Sequence, residues 1–467
     1  MSYSLVIDQG THASRVIIYD AQGRMMDEQQ QPVALQRIDH YRVEQSAPEL
    51  LQSIHDSLDK LDSRLLDQVE QCGLCTQRST IVAWHRDTGA VLHPALSWQD
   101  RRAEPLLTNW HADAARIQQI TGLPLSAHYG AAKLRWLLNN SSAIQAAAEE
   151  GQLCIAPLAS YLVWHLCRDT PFRVDHSNAH RMQLLDLRQG DWSPELLQLF
   201  EIDADWLPAC RPLLHDYGII DRLGIPLHLL CGDQTAACYA HGPLDTGSAL
   251  INLGSGGFVL APLPDLRRDP ELLCSIGRSD AQGIQYLLEG TINGAGSALS
   301  WLQKREPVDD LFSKLPDWLA TGTPSPSLFL NRVGGLGSPW WQSGDEARFI
   351  DTSQATHADH YCAVIDSIAF LVYANLERMR QHLTLQHLYL GGGLSQLDGL
   401  CQRIADLSKL PVSRLSNTEA SAYGALLLMN NTLLQQSKNS PTNIFKARPN
   451  SALHTAYREF IRLIGRY

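Results

Sequence analysis

Three glycine-rich segments of this sequence each follow a short apolar run. Residues 8–14 read Asp-Gln-Gly-Thr-His-Ala-Ser, residues 254–257 read Gly-Ser-Gly-Gly, and residues 391–393 are three glycines. Glycine lets the backbone approach an anion closely, and successive N–H groups of such turns form a cradle for phosphate. Asp8 adds a carboxylate of the kind that Mg²⁺ takes together with phosphate oxygens. The segments therefore indicate phosphate binding, although none is a Walker A or a dinucleotide-binding motif.

The apolar runs before these turns are typical of strands. Residues 4–8 and 15–20 predict a strand, a turn and a returning strand, and residues 248–253 and 258–261 repeat that arrangement. Helical spacing predicts helices over 131–139, over 361–380 and after residue 393, where the apolar positions are Leu397, Leu400, Ile404 and Leu407.

The alternation of strands and helices predicts an α/β fold of two domains. We place the domains at residues 1–240 and 241–467, with the boundary somewhere within 235–250. The polar stretch 435–449 is predicted to be a loop before a last short helix.

Composition and charge exclude several classes of protein. The 467 residues include 38 Lys+Arg and 49 Asp+Glu, a net charge of -11 without a long basic run. This balance argues against nucleic acid and against an anionic membrane surface as the main partner. No apolar stretch approaches the ~20 residues that span a bilayer, and the start shows no signal-peptide core. We therefore expect a cytoplasmic protein.

The cysteines are predicted to be reduced and structural. Ten cysteines are scattered from Cys72 to Cys401, which favours free thiols over a disulfide framework. Cys72 and Cys75 form a C-x-x-C, but the segment has the pattern of a strand, in which positions i and i+3 point to opposite faces. The eighteen histidines show no metal-ligand spacing. We expect neither a zinc site nor a redox site.

The sequence from Asp8 to Arg15 resembles the opening of the FGGY carbohydrate kinases, and of glycerol kinases in particular. Further segments resemble this family in the same order along nearly the whole chain. They are residues 77–79, 97–102, 133–136, 177–181, 232–234, 254–256, 288–291, 338–341, 391–393 and 417–419.

The resemblance implies two actin-like ATPase domains of the ribonuclease H-like type, with ATP and substrate in a cleft between them. It implies transfer of the γ-phosphate of ATP to a hydroxyl of a polyol or sugar, with Mg²⁺ as cofactor. The N-terminal domain is expected on the substrate side and the C-terminal domain on the nucleotide side. A homo-oligomeric state is left open.

The resemblance also assigns roles to individual residues. Asp233 would be the catalytic base, because phosphoryl transfer needs an oriented nucleophile and charge neutralisation. Metal binding is expected at Asp8 and Asp233. The substrate would be bound by Arg78, Trp98, His128, Asp233 and Gln234. ATP and its phosphates would be bound by Gly10, Thr11, His12, Ala13, Arg15, Gly254, Ser255, Gly392 and Gly393.

Several positions depart from the family pattern. Ser79 stands where glycerol kinases carry a Glu that binds substrate hydroxyls, and His128 stands at a substrate-contacting Tyr. His12 replaces a Thr of the phosphate turn, Leu397 replaces an Asn at the adenosine end, and Gly130 does not fit the family's signature. Unpaired hydroxyls weaken recognition, so we expect the acceptor to be a polyol or sugar other than glycerol. The segment 221–226 lacks a Gly-x-Arg regulatory motif, so control by a sugar bisphosphate is not expected.

Two alternatives to a kinase remain at this point. The first is a catalytically impaired actin-like protein that binds nucleotide and senses a sugar, which His12, Ser79 and Leu397 would favour. Asp8 and Asp233, both present, oppose it. The second is an actin-like ATPase chaperone, for which no peptide-binding domain is expected after residue 430.

Overall fold

The computed structural model describes residues 3–320, 322–344, 346–350, 355–415, 420–437 and 443–465. The chain divides into two compact units. The first unit comprises Met1–Pro243, Ser275–Tyr286 and Glu419–Lys438, and the second comprises Leu244–Cys274, Leu287–Thr418 and Asn439–Tyr467.

Strands and helices alternate along residues 3–243. The strands are β1 Tyr3–Gln9, β2 Ala13–Tyr19, β3 Met25–Pro32, β4 Gln36–Arg37, β5 Val43–Gln45, β6 Val69–Thr76, β7 Ile81–His85, β8 Val91–Leu96, β9 Leu153–Pro157, β10 Arg173–Asp175, β11 Leu185–Asp186, β12 Asp191–Trp192, β13 Ala209–Arg211, β14 Ile219–Ile220 and β15 Ile225–Gly232. The helices are α1 Ala47–Leu58, α2 Ser63–Leu66, α3 Ala114–Thr121, α4 Gly130–Asn140, α5 Ser142–Glu149, α6 Leu158–Leu166, α7 His176–His180, α8 Pro194–Phe200 and α9 Asp233–Ala237.

The same alternation continues after residue 243. The strands are β16 Ser248–Leu253, β17 Gly257–Leu263, β18 Leu273–Asp280, β19 Gly283–Ile292, β20 Leu328–Leu330, β21 Arg348–Ile350, β22 His387–Gly391, β23 Val412–Arg414 and β24 Asn443–Phe445. The helices are α10 Gly296–Gln303, α11 Leu311–Leu319, α12 His357–Met379, α13 Asp398–Ser408, α14 Ala420–Met429, α15 Asn431–Gln436 and α16 Ser451–Ile464.

The main sheet of the first unit brings three strand ends to one edge. Its strand order is β14-β15-β6-β1-β2-β3, in which β1, β6 and β15 are parallel and β1 and β2 form an antiparallel hairpin. Asp8 pairs with Cys75 in the register, and Thr76 pairs with Gly232. Because the carboxyl ends of parallel strands meet at the same edge, the residues that follow these strands are held together.

A second sheet of the first unit has the order β4-β5-β8-β7-β9. Buried aliphatic and aromatic side chains fill the space on both sides of it, among them Trp84 against α6 and Met182 against α4. Helix α14, far along the chain, packs on β1 and β6. Gly73 permits that approach, because a Cβ on it would lie 2.8 Å from the sulfur of Met429.

The second unit is built around the parallel strands β16, β22 and β23, flanked by antiparallel β17 and β24. Helix α12 is buried along most of its length and packs on α13. A capping box at Thr356 and Asp359 begins α12, since the Thr356 hydroxyl accepts from the Asp359 N–H.

Most predicted elements are found in the structure. The predicted helices correspond to α4, α12 and α13, and the predicted strands correspond to β1, β2, β16, β17 and β22. The prediction of a loop over 435–449 was wrong, because the end of α15 and strand β24 lie there, and the last helix is 14 residues long. The domain limits at 240 and 241 remain a prediction; the segments 275–286 and 419–438, which join the first unit, were not foreseen.

The part of the chain that the structure describes contains no helix long and apolar enough to cross a membrane. All ten cysteines are buried free thiols. Burial raises the pKa of Cys72 and of Cys75 well above the usual value of a thiol, which keeps both protonated.

Candidate active site

Asp233 lies at the edge of the main sheet where β15 ends and α9 begins. Its carboxylate accepts a hydrogen bond from the Gln234 backbone N–H at 2.6 Å. Burial raises the pKa of Asp233 to about 6, with Arg78 opposing that shift and the negative charge of Asp8 adding to it. A carboxylate with a pKa near neutrality is suited to accept a proton from a reacting hydroxyl.

Arg78 follows the neighbouring strand β6 and lies across the backbone that leads to Asp233. Its guanidinium donates to the Gln234 side-chain oxygen. A Cβ at Gly232 would lie 2.4 Å from Cδ of Arg78. Residue 232 is therefore a glycine because the arginine stem occupies the space of a side chain. The structure brings Arg78, Asp233 and Gln234 together.

The backbone before Asp233 is fixed by a second layer of hydrogen bonds. The Gly232 N–H donates to the Ser177 hydroxyl at 2.9 Å, and that hydroxyl donates to the buried carboxylate of Asp175 at 2.5 Å. Burial raises the pKa of Asp175 to about 6 against the hydrogen bonds that it accepts from Ser177 and Asn178. This layer holds the turn that presents Asp233.

Asp8, at the end of β1, is almost fully buried. One of its carboxylate oxygens accepts from Arg15 at 2.6 Å and from the Ser421 hydroxyl at 2.9 Å, and the other oxygen accepts from the Cys75 thiol at 3.4 Å. Arg15, predicted to bind phosphate, is thus an ion-pair partner of Asp8.

The turn 10–13 joins β1 to β2 and is closed by a hydrogen bond from the Gly10 N–H to the Ala13 carbonyl at 2.9 Å. The Thr11 hydroxyl accepts from the indole N–H of Trp98 at 2.9 Å. The Thr11 carbonyl accepts from Gln45 at 3.0 Å, while His12 is exposed. The predicted phosphate turn and the predicted substrate residue Trp98 are therefore direct neighbours.

His128 lies beside Trp98, with the ring centroids 6.0 Å apart and the rings nearly perpendicular. Burial lowers the pKa of His128 well below its usual value, and the positive charges of Lys133 and Arg181 lower it further. At neutral pH this side chain is an uncharged imidazole, which both donates and accepts one hydrogen bond.

Gly130, a misfit to the family signature, has a clear physical reason in this structure. It begins α4, and its N–H donates to the Arg181 carbonyl at 3.0 Å. A Cβ there would lie 2.7 Å from the sulfur and 2.9 Å from Cα of Met182. Any side chain would push α4 away from the turn at 181–182.

Ser79 is buried and has a φ of 62°, in the left-handed region that residues other than glycine seldom adopt. Among the described residues its hydroxyl has no hydrogen-bond partner. The side chain at this position is neutral and lies next to the cationic Arg78 in the sequence.

The glycine turns of the second unit lie at the ends of adjacent parallel strands. Asn252 of β16 pairs with Gly391 of β22, so the residues after each strand are neighbours. Gly392 has a φ of 84°, and a Cβ on it would lie 2.4 Å from the Asn252 side chain and 2.5 Å from the Leu253 carbonyl. By contrast, a Cβ on Gly393 would meet no atom of the described residues within 4 Å.

The turn 254–257 is ordered by backbone hydrogen bonds. The Gly254 N–H donates to the Gly256 carbonyl at 2.8 Å, and the Ser255 carbonyl accepts from the Ser297 N–H at 2.8 Å. The structure therefore brings Gly254, Ser255, Gly392 and Gly393 to one edge of the sheet of the second unit, where β16 and β22 end. Leu397 is buried just before α13, and the motif 417–419 lies outside the described residues.

The donors at Asp8 and Asp233 fit Mg²⁺ as a partner. The described residues contain no group of three or more His, Cys, Asp or Glu that could hold a metal. However, Mg²⁺ in phosphate sites takes one or two carboxylates and obtains its other ligands from phosphate and water. Asp8 and Asp233 are near enough that the charge of Asp8 raises the pKa of Asp233. A cation between them would relieve that repulsion.

Sequence reasoning missed several residues that support this site. Ser421 lies more than 400 residues from Asp8 in the sequence, and nothing in its surroundings signals the contact. Asp175 could have been found, because an Asp before Ser177 and Asn178 is a typical helix N-cap. Lys133 was noted only as part of a motif, but its side chain is fully buried.

Comparisons with known proteins identify one family along most of the chain. Residues 3–225 match the N-terminal domain, and residues 249–432 the C-terminal domain, of the FGGY family of carbohydrate kinases. A glycerol kinase of Acinetobacter baylyi is 33% identical over 451 residues, covering 91% of this chain and 89% of the relative. One of Polaromonas naphthalenivorans is 32% identical over 456 residues, covering 92% and 90%.

Solved structures show the same fold. A Plasmodium falciparum glycerol kinase with ADP superposes with a TM-score of 0.92 at 23% identity, covering 99% of this chain and 97% of that chain. A xylulose kinase of Lactobacillus acidophilus superposes with a TM-score of 0.86 at 19% identity, covering 99% and 97%.

Proposed function

This chain belongs to the FGGY family of carbohydrate kinases, and we propose that its first unit supplies the acceptor site and the catalytic base for transfer of the γ-phosphate of ATP to a hydroxyl of a polyol or sugar. The observation that carries the proposal is the Asp233 carboxylate. It has a pKa of about 6, a backbone N–H that fixes one oxygen, and Arg78 beside it. The comparisons favour a kinase and give no support to the sugar sensor considered above.

Asp233 acts as the general base. It accepts the proton of the acceptor hydroxyl while that oxygen forms a bond to the γ-phosphorus and the bond from this phosphorus to the oxygen of ADP breaks. The Gln234 N–H keeps the carboxylate oriented for this transfer. With a pKa of about 6, the carboxylate is mostly ionised at neutral pH and remains basic enough to accept a proton.

The acceptor is bound by Arg78, Trp98, His128 and Gln234. The indole offers an apolar wall, and the neutral imidazole and the amide offer hydrogen bonds to hydroxyls. Ser79 adds no charge. A hydroxyl that loses a carboxylate partner is bound less tightly, so we propose that a polyol or sugar other than glycerol is the preferred acceptor.

The phosphates of ATP are bound by backbone N–H groups of glycine-containing turns. Residues Gly10, Thr11, His12 and Ala13 form one turn, and Arg15 adds a cation. Gly254, Ser255, Gly392 and Gly393 contribute from the second unit, where Gly393 leaves space for a ligand. Such turns bind anions through backbone geometry.

Mg²⁺ would be held by Asp8 and Asp233, and when bound it neutralises negative charge on the phosphates. Arg15 supplies the positive charge beside Asp8 in this structure. The assignment of residues 1–240 to the substrate side and 241–467 to the nucleotide side and the cytoplasmic location remain predictions, and the oligomeric state stays open.

The proposal is tested by an acceptor screen with the purified chain, ATP and Mg²⁺. Glycerol, erythritol, and common pentoses, ketoses and polyols are offered singly, and both ADP and the phosphate ester are measured. We expect ADP formation to depend on one class of acceptor and to match the ester formed. ADP formation that no acceptor stimulates would contradict the proposal and favour the sensor.

A further inference from the structure

Lys133 is a cation enclosed completely within the first unit. It lies in the second turn of α4, and its ammonium group donates to two backbone carbonyls, that of Ser79 at 3.0 Å and that of Ser97 at 2.8 Å. These carbonyls belong to separate loops. One loop follows β6 and the other follows β8.

Each carbonyl bonded by Lys133 belongs to a residue next to one of the proposed acceptor-binding residues. Ser79 follows Arg78, and Ser97 precedes Trp98. A second tie joins the same loops, because the Thr80 hydroxyl accepts from the Trp98 N–H at 3.1 Å and donates to Gln77 at 3.1 Å. One amine and one hydroxyl therefore tie these two loops together, in addition to the pairing of Ile81 with Leu96 between β7 and β8.

Burying a lysine to provide hydrogen bonds to two backbone carbonyls costs free energy, because the charged amine loses its hydration. Burial lowers the pKa of Lys133 to about 7, with Asp100 opposing this shift and Arg101 and Arg102 adding to it. Folding thus works against the charged form. Both hydrogen bonds nevertheless survive loss of the proton, since a neutral amine keeps two N–H groups.

Helix α4, which carries Lys133, is itself held in place by further contacts. The first two N–H groups of α4 donate to the carbonyls of Arg181 and Met182 at 3.0 and 2.7 Å. Further along the helix, Trp136 stacks under the guanidinium of Arg102, which is bonded to Asp100. Lys133 therefore projects from an anchored helix toward the loop between β6 and β7 and the loop after β8, next to the point where Ile81 of β7 pairs with Leu96 of β8.

We infer that Lys133 is a positioning residue for acceptor recognition: by bonding the Ser79 and Ser97 carbonyls it holds Arg78 and Trp98 at the separation that one acceptor requires. The inference rests on the proposed function of Arg78 and Trp98. It adds a specificity determinant that touches neither acceptor nor nucleotide and that acts only through the loops.

The test uses Lys133→Met, which keeps the length of the side chain and removes the donors, with Thr80→Val as a second variant that removes the other tie. Leu453→Ala, in the buried face of α16 in the second unit, is the control for loss of stability. Hydrogen exchange of the peptides that contain Thr80 and Trp98 is measured in each variant, together with the KM values for acceptor and for ATP.

We expect faster exchange at both loops in Lys133→Met and a roughly 10- to 100-fold rise in the acceptor KM, the cost of a small misplacement of binding groups. The KM for ATP should stay at the wild-type value. Thr80→Val should show the same pattern with smaller changes, and Leu453→Ala should change neither loop exchange nor acceptor KM.

Unchanged exchange in the loops, or an equal rise in both KM values, would overturn the inference. If Lys133→Met fails to fold, Thr80→Val decides by the same two criteria. A wild-type chain that phosphorylates no acceptor would refute the proposed function instead, while the exchange measurement would still decide whether Lys133 fixes the loops.

Discussion

The two units use different means at their predicted sites. In the first unit the site is made of side chains: Asp233, Arg78 and Trp98 are each held by a specific hydrogen bond. In the second unit the predicted site consists of backbone groups of the turns 254–257 and 391–393, where glycines permit close contacts. A single substitution can change which ligand is bound by side chains. Binding of a ligand by backbone N–H groups depends instead on the conformation of the turn and on the glycines that leave this backbone accessible.

This difference bears on three of the positions that depart from the family pattern, Ser79, His128 and His12. Ser79 and His128 alter the acceptor side, where side chains decide which hydroxyls are paired. His12 is exposed at the tip of a turn whose backbone hydrogen bond is intact, so its side chain matters less to phosphate binding. We therefore expect the phosphoryl transfer of the family with an altered acceptor.

Asp233→Asn should have the largest effect. The amide cannot accept the proton of the acceptor hydroxyl, so kcat should fall by roughly 10²–10⁴-fold, the usual contribution of a general base. The KM for ATP should change little. Asp39→Asn, which removes an exposed carboxylate paired with Arg42, is the control and should retain full activity. Activity of Asp233→Asn near that of the control would refute the assignment.

Gly232→Ala tests the approach of Arg78 to the catalytic turn. The new methyl group would lie 2.4 Å from Cδ of Arg78 and must displace the arginine stem. We expect the acceptor KM to rise roughly 10- to 100-fold. In the background of Arg78→Ala the methyl has nothing to displace, so the same substitution should then have little further effect. Additive effects in this double-mutant cycle would contradict the packing argument.

Gly393→Ala tests the backbone site of the second unit. Among the residues that the structure describes, no atom lies within 4 Å of the added methyl group, so we expect the fold to be unaffected. If phosphate approaches this backbone closely, the KM for ATP should still rise about tenfold, as expected for the loss of one good contact. A variant with wild-type stability and a wild-type KM for ATP would remove Gly393 from the phosphate site.

The pH dependence should report the electrostatics of the first unit. Because the reaction requires ionised Asp233, kcat/KM for the acceptor should fall as the pH drops below about 6. Arg78 lowers the pKa of Asp233, so Arg78→Met should move this acidic limb to higher pH. Profiles of kcat/KM for both proteins check the sign. A limb that moves to lower pH would show that another group controls it.

Much of the fold could be predicted from the sequence because its signals are local. Apolar runs, turn glycines and helical spacing predicted β1, β16 and α12 at nearly their observed positions. Strand β24 could not be predicted in the same way, since a three-residue edge strand in a polar segment depends on its pairing with β23.

The candidate site could also be predicted in part, where local motifs in the sequence indicate it. Asp8 lies at the end of a strand, Arg78 and Asp233 come just after strands, and all three belong to motifs of the family, so their proximity could be anticipated. The contact between Ser421 and Asp8 and the burial of Lys133 between two loops depend on tertiary packing, which leaves no local trace. Gly130 is the reverse case: a departure from the signature whose reason is visible only beside Met182.

The most direct test of the altered acceptor site is kcat/KM for glycerol on the unmodified chain, compared with the best acceptor from the screen. A hydroxyl without its charged partner forfeits about 1.5–3 kcal/mol, or roughly 10–150-fold in affinity. We therefore expect kcat/KM for glycerol to fall below that for the best acceptor by a factor in that range. Glycerol with the highest kcat/KM of all acceptors would contradict it.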